Sequence, residues 1–161
     1  MSLTLRMVGG RHNGLVQKIA FIKRCYLTSL TDPSVRTFAE EAAGRGSRLK
    51  QAKALFDVIR AKVNYVPDPV GCEMTKSPSV IVGEIHRRGY AAEDCDGQAC
   101  LSYTLLKSIG IPAVLRVIWL GDPMPQHIYV VAFIDGREVA FDPTRKSGFG
   151  SEVAFKRKED F

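Results

Sequence analysis

The spacing of apolar residues changes once along the chain, and this change constrains the fold more than any other feature. Up to Ile109, apolar residues recur every three or four positions, as they do on one face of a helix. From Ile111 onward the chain is rich in Val and Ile, which favours strands. Asp135-Gly136 then supplies the two positive-φ positions of a tight hairpin turn. Helices followed by an antiparallel meander predict an α+β fold.

Start and stop signals divide the helical part into five segments. Asp32-Pro33 and Ser77-Pro78 are each typical of an N-cap residue followed by proline in the first turn. Gly110 stands where a glycine commonly ends a helix. The weakly patterned residues before position 15 predict a loop. The predicted helices cover residues 15–28, 33–44, 47–63, 78–89 and 95–109, and the predicted strands cover 111–120, 127–134 and 137–141.

Length and composition suit a single domain. The 161 residues are 45% hydrophobic and 25% charged, which is enough to bury a core without disulfides. The four cysteines include no C-x-x-C pair, so we expect free thiols in a reducing compartment. The first residues lack the apolar stretch of a signal peptide, and no apolar run is long enough to cross a bilayer. We therefore expect a cytoplasmic protein without a membrane partner.

The net charge of +6 gives the chain a mild basic bias. Nucleic-acid binding usually requires a basic stripe or a known motif. Here the basic residues are scattered, and they form only the short runs Arg87-Arg88 and Lys156-Arg157-Lys158, which are typical of solvated faces. The sequence therefore argues against a nucleic-acid partner.

Cys95 stands at the start of the last predicted helix. A thiol there lies beside free backbone N–H groups and the positive end of the helix dipole, which favour the nucleophilic thiolate and can hold an oxyanion. Such a nucleophile needs a base, and the base needs an acceptor that orients it. His127 opens a predicted strand, and Asp142 follows the strand that the hairpin turn folds back beside it. Hairpin geometry therefore predicts that His127 and Asp142 are neighbours.

Three motifs in this order resemble the transglutaminase-like proteins, a group with the papain-like cysteine protease fold. They are the nucleophile segment, the histidine strand and the aspartate strand. The matching residues here are Asp94–Ala99 with Gly110–Ala113, then His127–Val130, then Phe141–Thr144. Residues of this chain upstream of these motifs also resemble the segment that precedes the nucleophile in this group; they are Val63, Tyr65, Asp68, Glu73 and Pro78. The resemblance covers residues 50–145.

The resemblance implies a nucleophile at a helix N-terminus packed on an antiparallel sheet, with Cys95, His127 and Asp142 as the catalytic triad. It implies peptidase, amidase or transglutaminase chemistry through a thioester, on a peptide or protein substrate, with no cofactor or metal. We predict a single domain, residues 1–161, in which a transglutaminase-like core of residues 46–150 follows an N-terminal helical extension of residues 1–45.

Several alternatives stay open. The chain is similar to compact members of the group from bacteria and phages, and the extension offers apolar helix faces to a protein partner. A non-enzymatic assembly protein, as in a phage particle, is therefore the main rival.

A zinc site of Cys72, Cys95, Cys100 and His127 has suitable donors but no paired spacing. Minor readings make Cys72 a redox partner of Cys95 and Gln98 an oxyanion donor, while Cys100 is otherwise predicted to be a core residue.

Overall fold

The computed structural model describes residues 4–7, 11–69 and 73–161, which form five helices and eight strands. The helices are α1 (Arg11–Ser29), α2 (Pro33–Ala43), α3 (Arg48–Lys62), α4 (Pro78–Arg88) and α5 (Cys95–Ser108). The strands are β1 (Thr4–Met7), β2 (Val63–Tyr65), β3 (Glu73–Lys76), β4 (Ala91–Glu93), β5 (Ala113–Trp119), β6 (His127–Ile134), β7 (Arg137–Phe141) and β8 (Arg157–Asp160). The predicted α+β fold is confirmed. In the described part of the chain, no helix combines the length and the apolar character that crossing a membrane requires.

Polar side chains cap three of the helices at the predicted starts. Asp32, Ser47 and Asp94 each accept a hydrogen bond from a backbone N–H of the first turn. These bonds satisfy donors that have no partner within the helix. The starts of α2, α3 and α5 are therefore fixed by local chemistry that the sequence displays.

Helix α1 begins at Arg11, although the sequence predicted a loop before residue 15. Gly14 lies inside this helix. An interior glycine costs about 1 kcal/mol relative to alanine, but α1 buries Ile19 and Ile22 against the rest of the molecule. Tertiary packing of an apolar face supplies most of a helix's stability, and it outweighs the unfavourable start.

The main sheet has four antiparallel strands in the order β7-β6-β5-β8. Asp135 and Gly136 have φ values of 52° and 75°, and they join β6 to β7 as the predicted hairpin. Strand β8 was not predicted. It returns along the outer edge of β5 and exchanges backbone hydrogen bonds there. Strand β6 lies between β7 and β5, and its first residue, His127, pairs with Ile118 of β5.

The main core lies between the helices and one face of this sheet. Helix α5 is at its centre, because every residue from Asp96 to Leu106 is buried. Helix α1 contributes Ile19, Ile22 and Cys25 to the same core. The predicted N-terminal extension and the predicted transglutaminase-like core therefore share one apolar interior.

The other face of the sheet is covered by the C-terminal segment. Val153 and Phe155 pack there against a small apolar cluster that includes Tyr129. Arg116 on β5 is 1% exposed, and its guanidinium is bound by three carboxylates, those of Glu138, Glu152 and Asp160. This charged cluster ties β8 to the sheet.

Candidate active site

The hairpin brings His127 and Asp142 into direct contact. His127 is the first residue of β6, and Asp142 directly follows β7. The His127 Nε2 and the Asp142 Oδ2 are 2.6 Å apart, and both side chains are buried. The neighbourhood predicted from the turn is confirmed. Because this contact engages Nε2, the other ring nitrogen, Nδ1, is the one that could exchange a proton with a nucleophile.

Asp142 is itself held in place by the turn that follows it. Its Oδ1 accepts hydrogen bonds from the Thr144 hydroxyl at 2.6 Å and from the Thr144 N–H at 3.3 Å. Burial alone would raise the pKa of the Asp142 carboxyl, but the hydrogen bonds from His127 and Thr144 and the charge of His127 hold it below its ordinary value. Asp142 is therefore an ionised acceptor that fixes the imidazole ring.

Tyr129 supports the imidazole from the side. The two rings stack with their centroids 5.7 Å apart and their planes 23° from parallel. The Tyr129 hydroxyl donates a hydrogen bond of 2.7 Å to Glu152. Tyr129 thus packs against the His127 ring.

Cys95 and His127 line the same cavity, which has a volume of about 200 Å³. Cys95 is the first residue of α5 and is half-buried. Ile128 lines the cavity beside His127, and its backbone forms a hydrogen bond to the thiol. Strand β6 therefore supplies a backbone donor to the thiol at the start of α5, and its first residue, His127, lines the same cavity.

The backbone donors at the start of α5 are partly taken. The Asp94 Oδ1 accepts the N–H groups of Asp96 at 3.0 Å and Gly97 at 3.1 Å. These two amides are therefore committed to the helix cap and not to an oxyanion, contrary to the sequence-based expectation for the first turn. The Asp94 side chain does not bind the Cys95 N–H, so this amide of the first turn is the candidate donor to an oxyanion.

The charge around Cys95 opposes a resting thiolate. The thiol sulfur and the carboxylates of Asp94 and Asp96 lie within 4.8 Å of one another. Burial, followed by the charges of Asp96 and Asp94, holds the pKa of the Cys95 thiol well above its ordinary value. Burial and Asp96 also raise the pKa of Asp94 to about 7. The thiolate-favouring effect predicted for a helix start is thus outweighed, because desolvation and like charge are stronger here.

Lys18 of helix α1 brings a positive charge into the same cavity. Its ammonium forms an ion pair with the Asp96 carboxylate, and both residues line the cavity. The charge of Lys18 acts to lower the pKa of Cys95. No pattern in the sequence identifies this residue, since a lysine on an amphipathic helix normally faces water.

A second cluster of ion pairs includes Glu93, two residues before Cys95. Lys76 Nζ is 3.0 Å from Glu93 and 3.0 Å from Glu84, and the Glu93 side chain is 3% exposed. Gln98 donates a hydrogen bond of 3.3 Å to the Glu93 carbonyl. Gln98 is buried and is engaged away from the cavity, so its predicted minor role as an oxyanion donor is not supported by its position.

The other two described cysteines, Cys25 and Cys100, lie in the core and not at the cavity. Cys100 is fully buried, as predicted, and it contacts Cys25 from α1 in the core. The proposed zinc set therefore lacks Cys100 at the cavity. Cys72 lies outside the described residues, and so do its predicted zinc and redox roles.

No protein-family model and no curated protein matches the chain. Solved structures do match it. A candidate protease from Parabacteroides distasonis ATCC 8503 is similar at a TM-score of 0.63 and 17% identity, over 78% of this chain and 26% of that chain. A candidate cysteine protease from Cytophaga hutchinsonii is similar at a TM-score of 0.52 and 24% identity, over 69% of this chain and 37% of that chain.

A structure described as a TGase is similar at a TM-score of 0.44 and 14% identity, over 92% of this chain and 37% of that chain. The chain thus spans 26% to 37% of the length of these three structures. The chain shares the α+β fold of the two candidate proteases, which is the fold class that the sequence predicts.

Proposed function

We propose that this chain catalyses cysteine-dependent amide hydrolysis or acyl transfer, with Cys95 as the nucleophile, His127 as the base and Asp142 as the residue that orients the base. The observation that carries the proposal is the shared cavity of Cys95 and His127, in which Asp142 holds the imidazole by a 2.6 Å hydrogen bond. A thiol and an oriented imidazole at one cavity supply the nucleophile and the base that nucleophilic catalysis requires.

The proposed reaction begins from a protonated thiol, because burial and two carboxylates hold the pKa of Cys95 high. As the sulfur attacks the amide carbonyl carbon, its proton passes to Nδ1 of His127. Asp142 stabilises the imidazolium through Nε2–H. The Cys95 N–H donates to the oxyanion. Collapse of the tetrahedral intermediate breaks the C–N bond, and Nδ1–H delivers its proton to the departing amine, which leaves a thioester.

The second half of the reaction transfers the acyl group from Cys95 to an acceptor. His127 removes a proton from the acceptor, the acceptor attacks the thioester carbonyl, and the thiol leaves and recovers its proton. Water as acceptor gives a peptidase or amidase, and a primary amine gives a transglutaminase. We favour water, since the two structures similar at TM-scores of 0.63 and 0.52 are described as candidate proteases.

Substitution of Cys95 tests the proposal. We expect Cys95→Ala to lower amide turnover by at least about a thousandfold, because the covalent route is lost. Turnover is measured with fluorogenic peptide amides and with a glutamine peptide plus an added primary amine. The unfolding free energy should change by less than about 1 kcal/mol, since a half-buried cavity residue leaves little void.

Cys100→Ala is the matched control on the same helix. It empties a fully buried core position, so it should destabilise the chain but leave the activity per folded molecule unchanged. A parent protein without activity on either substrate type would contradict the proposal.

Two observations favour the rival interpretation, a non-enzymatic assembly protein. The raised thiol pKa is what an unreactive cysteine would have. Three apolar side chains of the extension, those of Val16, Leu27 and Leu30, are also exposed and offer a partner surface of the kind a phage particle would use. An inactive parent whose oligomer or partner binding is lost on Leu27→Asp would support this rival.

A further inference from the structure

Lys18 stands out because it reaches the cavity from outside the region that resembles the transglutaminase-like group. Its ammonium pairs with the Asp96 carboxylate. The Lys18 side chain is only 19% exposed and that of Asp96 only 4% exposed. A long cationic side chain loses hydration and rotamer freedom when it is held in this way. Its position therefore calls for a role beyond solubility.

The group that Lys18 holds is the one that most directly opposes ionisation of the thiol. The Cys95 Sγ–H donates to the Asp96 Oδ1 at 3.7 Å. A carboxylate that accepts this hydrogen stabilises the neutral thiol and repels the thiolate. Lys18 binds the same carboxylate and supplies the opposite charge, so its effect on the thiol has the opposite sign.

In the part of the chain that the structure describes, the charged and titratable groups around Cys95 come from several elements. They are Asp94 and Asp96 of α5, Lys18 of α1, His127 of β6 and Tyr65 of β2, with Asp68 facing Asp94 and Arg145 facing Asp142. Asp142 already holds His127 at 2.6 Å. Among the described residues, Lys18 is a cation that forms an ion pair directly with Asp96.

We propose that Lys18 is a positioning residue for the nucleophile, whose ammonium holds the Asp96 carboxylate and offsets its charge so that Cys95 can give its proton to His127. The inference rests on the proposed role of Cys95, and it makes helix α1 part of the active site. An opposite charge at this range shifts a titration by about 1–3 pH units. Lys18 acts on the thiol through Asp96, so we expect a shift at the low end of that range.

The test measures how the alkylation rate of Cys95 depends on pH. Iodoacetamide is a neutral probe, and modification at Cys95 is quantified by peptide mass spectrometry between about pH 6 and pH 10. Lys18→Met should move the profile up by about one pH unit and slow alkylation near neutral pH about tenfold. Lys18→Arg keeps the charge and should restore the parent profile.

Lys53→Met is the matched control. Lys53 also forms an ion pair on a helix, at 2.6 Å with Asp57, but this pair is half exposed and lies on α3. Its loss should leave the profile of Cys95 unchanged. A shift as large as that of Lys18→Met would show that any lost lysine slows the thiol, and it would overturn the inference.

A double variant separates charge compensation from simple packing. If Lys18 acts through Asp96, then Lys18→Met combined with Asp96→Asn should return alkylation to the parent rate, because the uncompensated carboxylate is gone. A parent-like profile in Lys18→Met overturns the inference, and so does a double variant that stays slow. Should Lys18→Met unfold the chain, Lys18→Gln carries the same expectation with a polar tip.

Alkylation does not require amide turnover, so the two proposals fail separately. A parent that turns over no amide, together with a shifted profile in Lys18→Met, would refute the proposed function and leave the Lys18–Asp96–Cys95 coupling intact. An active parent with an unshifted profile in Lys18→Met would refute the role of Lys18 alone.

Discussion

The Glu93 side chain fills the space beside Gly97 that any larger residue would need. A Cβ atom built on Gly97 would lie 2.7 Å from the Glu93 Cδ and closer still to the carboxylate oxygen. Glu93 is buried and tied to Lys76 at 3.0 Å, so it is not free to swing away. The absence of a side chain at Gly97, the third residue of α5, therefore allows the start of this helix to pack against Glu93.

Gly97→Ala should destabilise the chain by about 1–3 kcal/mol, the usual cost of overpacking a rigid site. Alanine would otherwise stabilise a helix interior by up to about 1 kcal/mol, so the steric effect reverses the sign expected from propensity. Urea unfolding measures the change. Gly148→Ala is the control, since nothing lies within 4 Å of its added Cβ. Equal stability of the two variants would show that Glu93 can move.

Asp142→Asn should lower kcat/KM, but by less than Cys95→Ala does. An amide oxygen can still accept the Nε2–H of His127, whereas the charge that stabilises an imidazolium is lost. We expect a loss of about a hundred- to a thousandfold. Thr144→Val removes the 2.6 Å hydrogen bond to the carboxylate and should cause a smaller loss. Parent-like kinetics in Asp142→Asn would mean that the histidine needs no orienting charge.

Local chemistry made one part of the site predictable from the sequence. The Asp135-Gly136 turn fixes the register of β6 and β7, so His127 and Asp142 had to meet. The Asp94 cap fixes the start of α5 and places Cys95 in its first turn. Each of these features depends on residues close together in the sequence.

Contacts between distant segments were not predictable. The pair of Lys18 and Asp96 joins two helices, and no spacing rule links such positions. The basic run Lys156-Arg157-Lys158 predicts a solvated face, and Arg157 and Lys158 are exposed. The backbone of β8, however, pairs with β5, which the side-chain pattern does not indicate. The start of α5 was predictable from the sequence. The raised pKa of the Cys95 thiol was not, because it depends on burial that only the packed structure reveals.

Arg116→Met should destabilise the chain by about 2 kcal/mol at neutral pH. The guanidinium forms a bidentate pair of 2.7 Å bonds with Asp160 and a further bond to Glu152. Hydrogen bonds to charged groups contribute about 1.5–3 kcal/mol, and the carboxylates are partly hydrated after the change, which limits the loss. Arg36→Met removes an exposed pair with Glu40 and should cost under about 1 kcal/mol. Equal losses would place the Arg116 cluster among surface ion pairs.

The same cluster should make stability depend on acid pH. Hydrogen bonds from Arg116 hold the pKa of Asp160 below its ordinary value. Burial would raise the pKa of Glu152, but its bonds to Tyr129 and Arg116 lower it overall. Folded pKa values below the unfolded ones give stability that is present above about pH 4 and is lost as the pH falls through the folded values. Melting curves of the parent should show this loss, and those of Arg116→Met should show less of it.

Asp94→Asn should speed alkylation of Cys95 only at neutral and alkaline pH. Burial and Asp96 raise the pKa of Asp94 to about 7, so in the parent this carboxyl is largely neutral in mild acid and ionised above neutrality. Asparagine caps a helix as well as aspartate, so the variant removes the charge and keeps the cap. Below about pH 6 the parent and the variant should react alike, and above about pH 8 the variant should be faster, because one anion near the thiol is gone.

Stability should follow the same titration with a defined sign. Because the folded pKa of Asp94 is raised, the folded state holds the proton more tightly than the unfolded chain. The parent should therefore lose stability as the pH rises from about 4 to about 7, and Asp94→Asn should not share that contribution. Asp94→Ala is the control: it removes the charge and the cap together, so it should react like asparagine but lose about 1 kcal/mol. If Asp94→Asn and the parent alkylate at equal rates across the whole range, the Asp94 charge does not reach the thiol, and burial with Asp96 alone keeps Cys95 protonated.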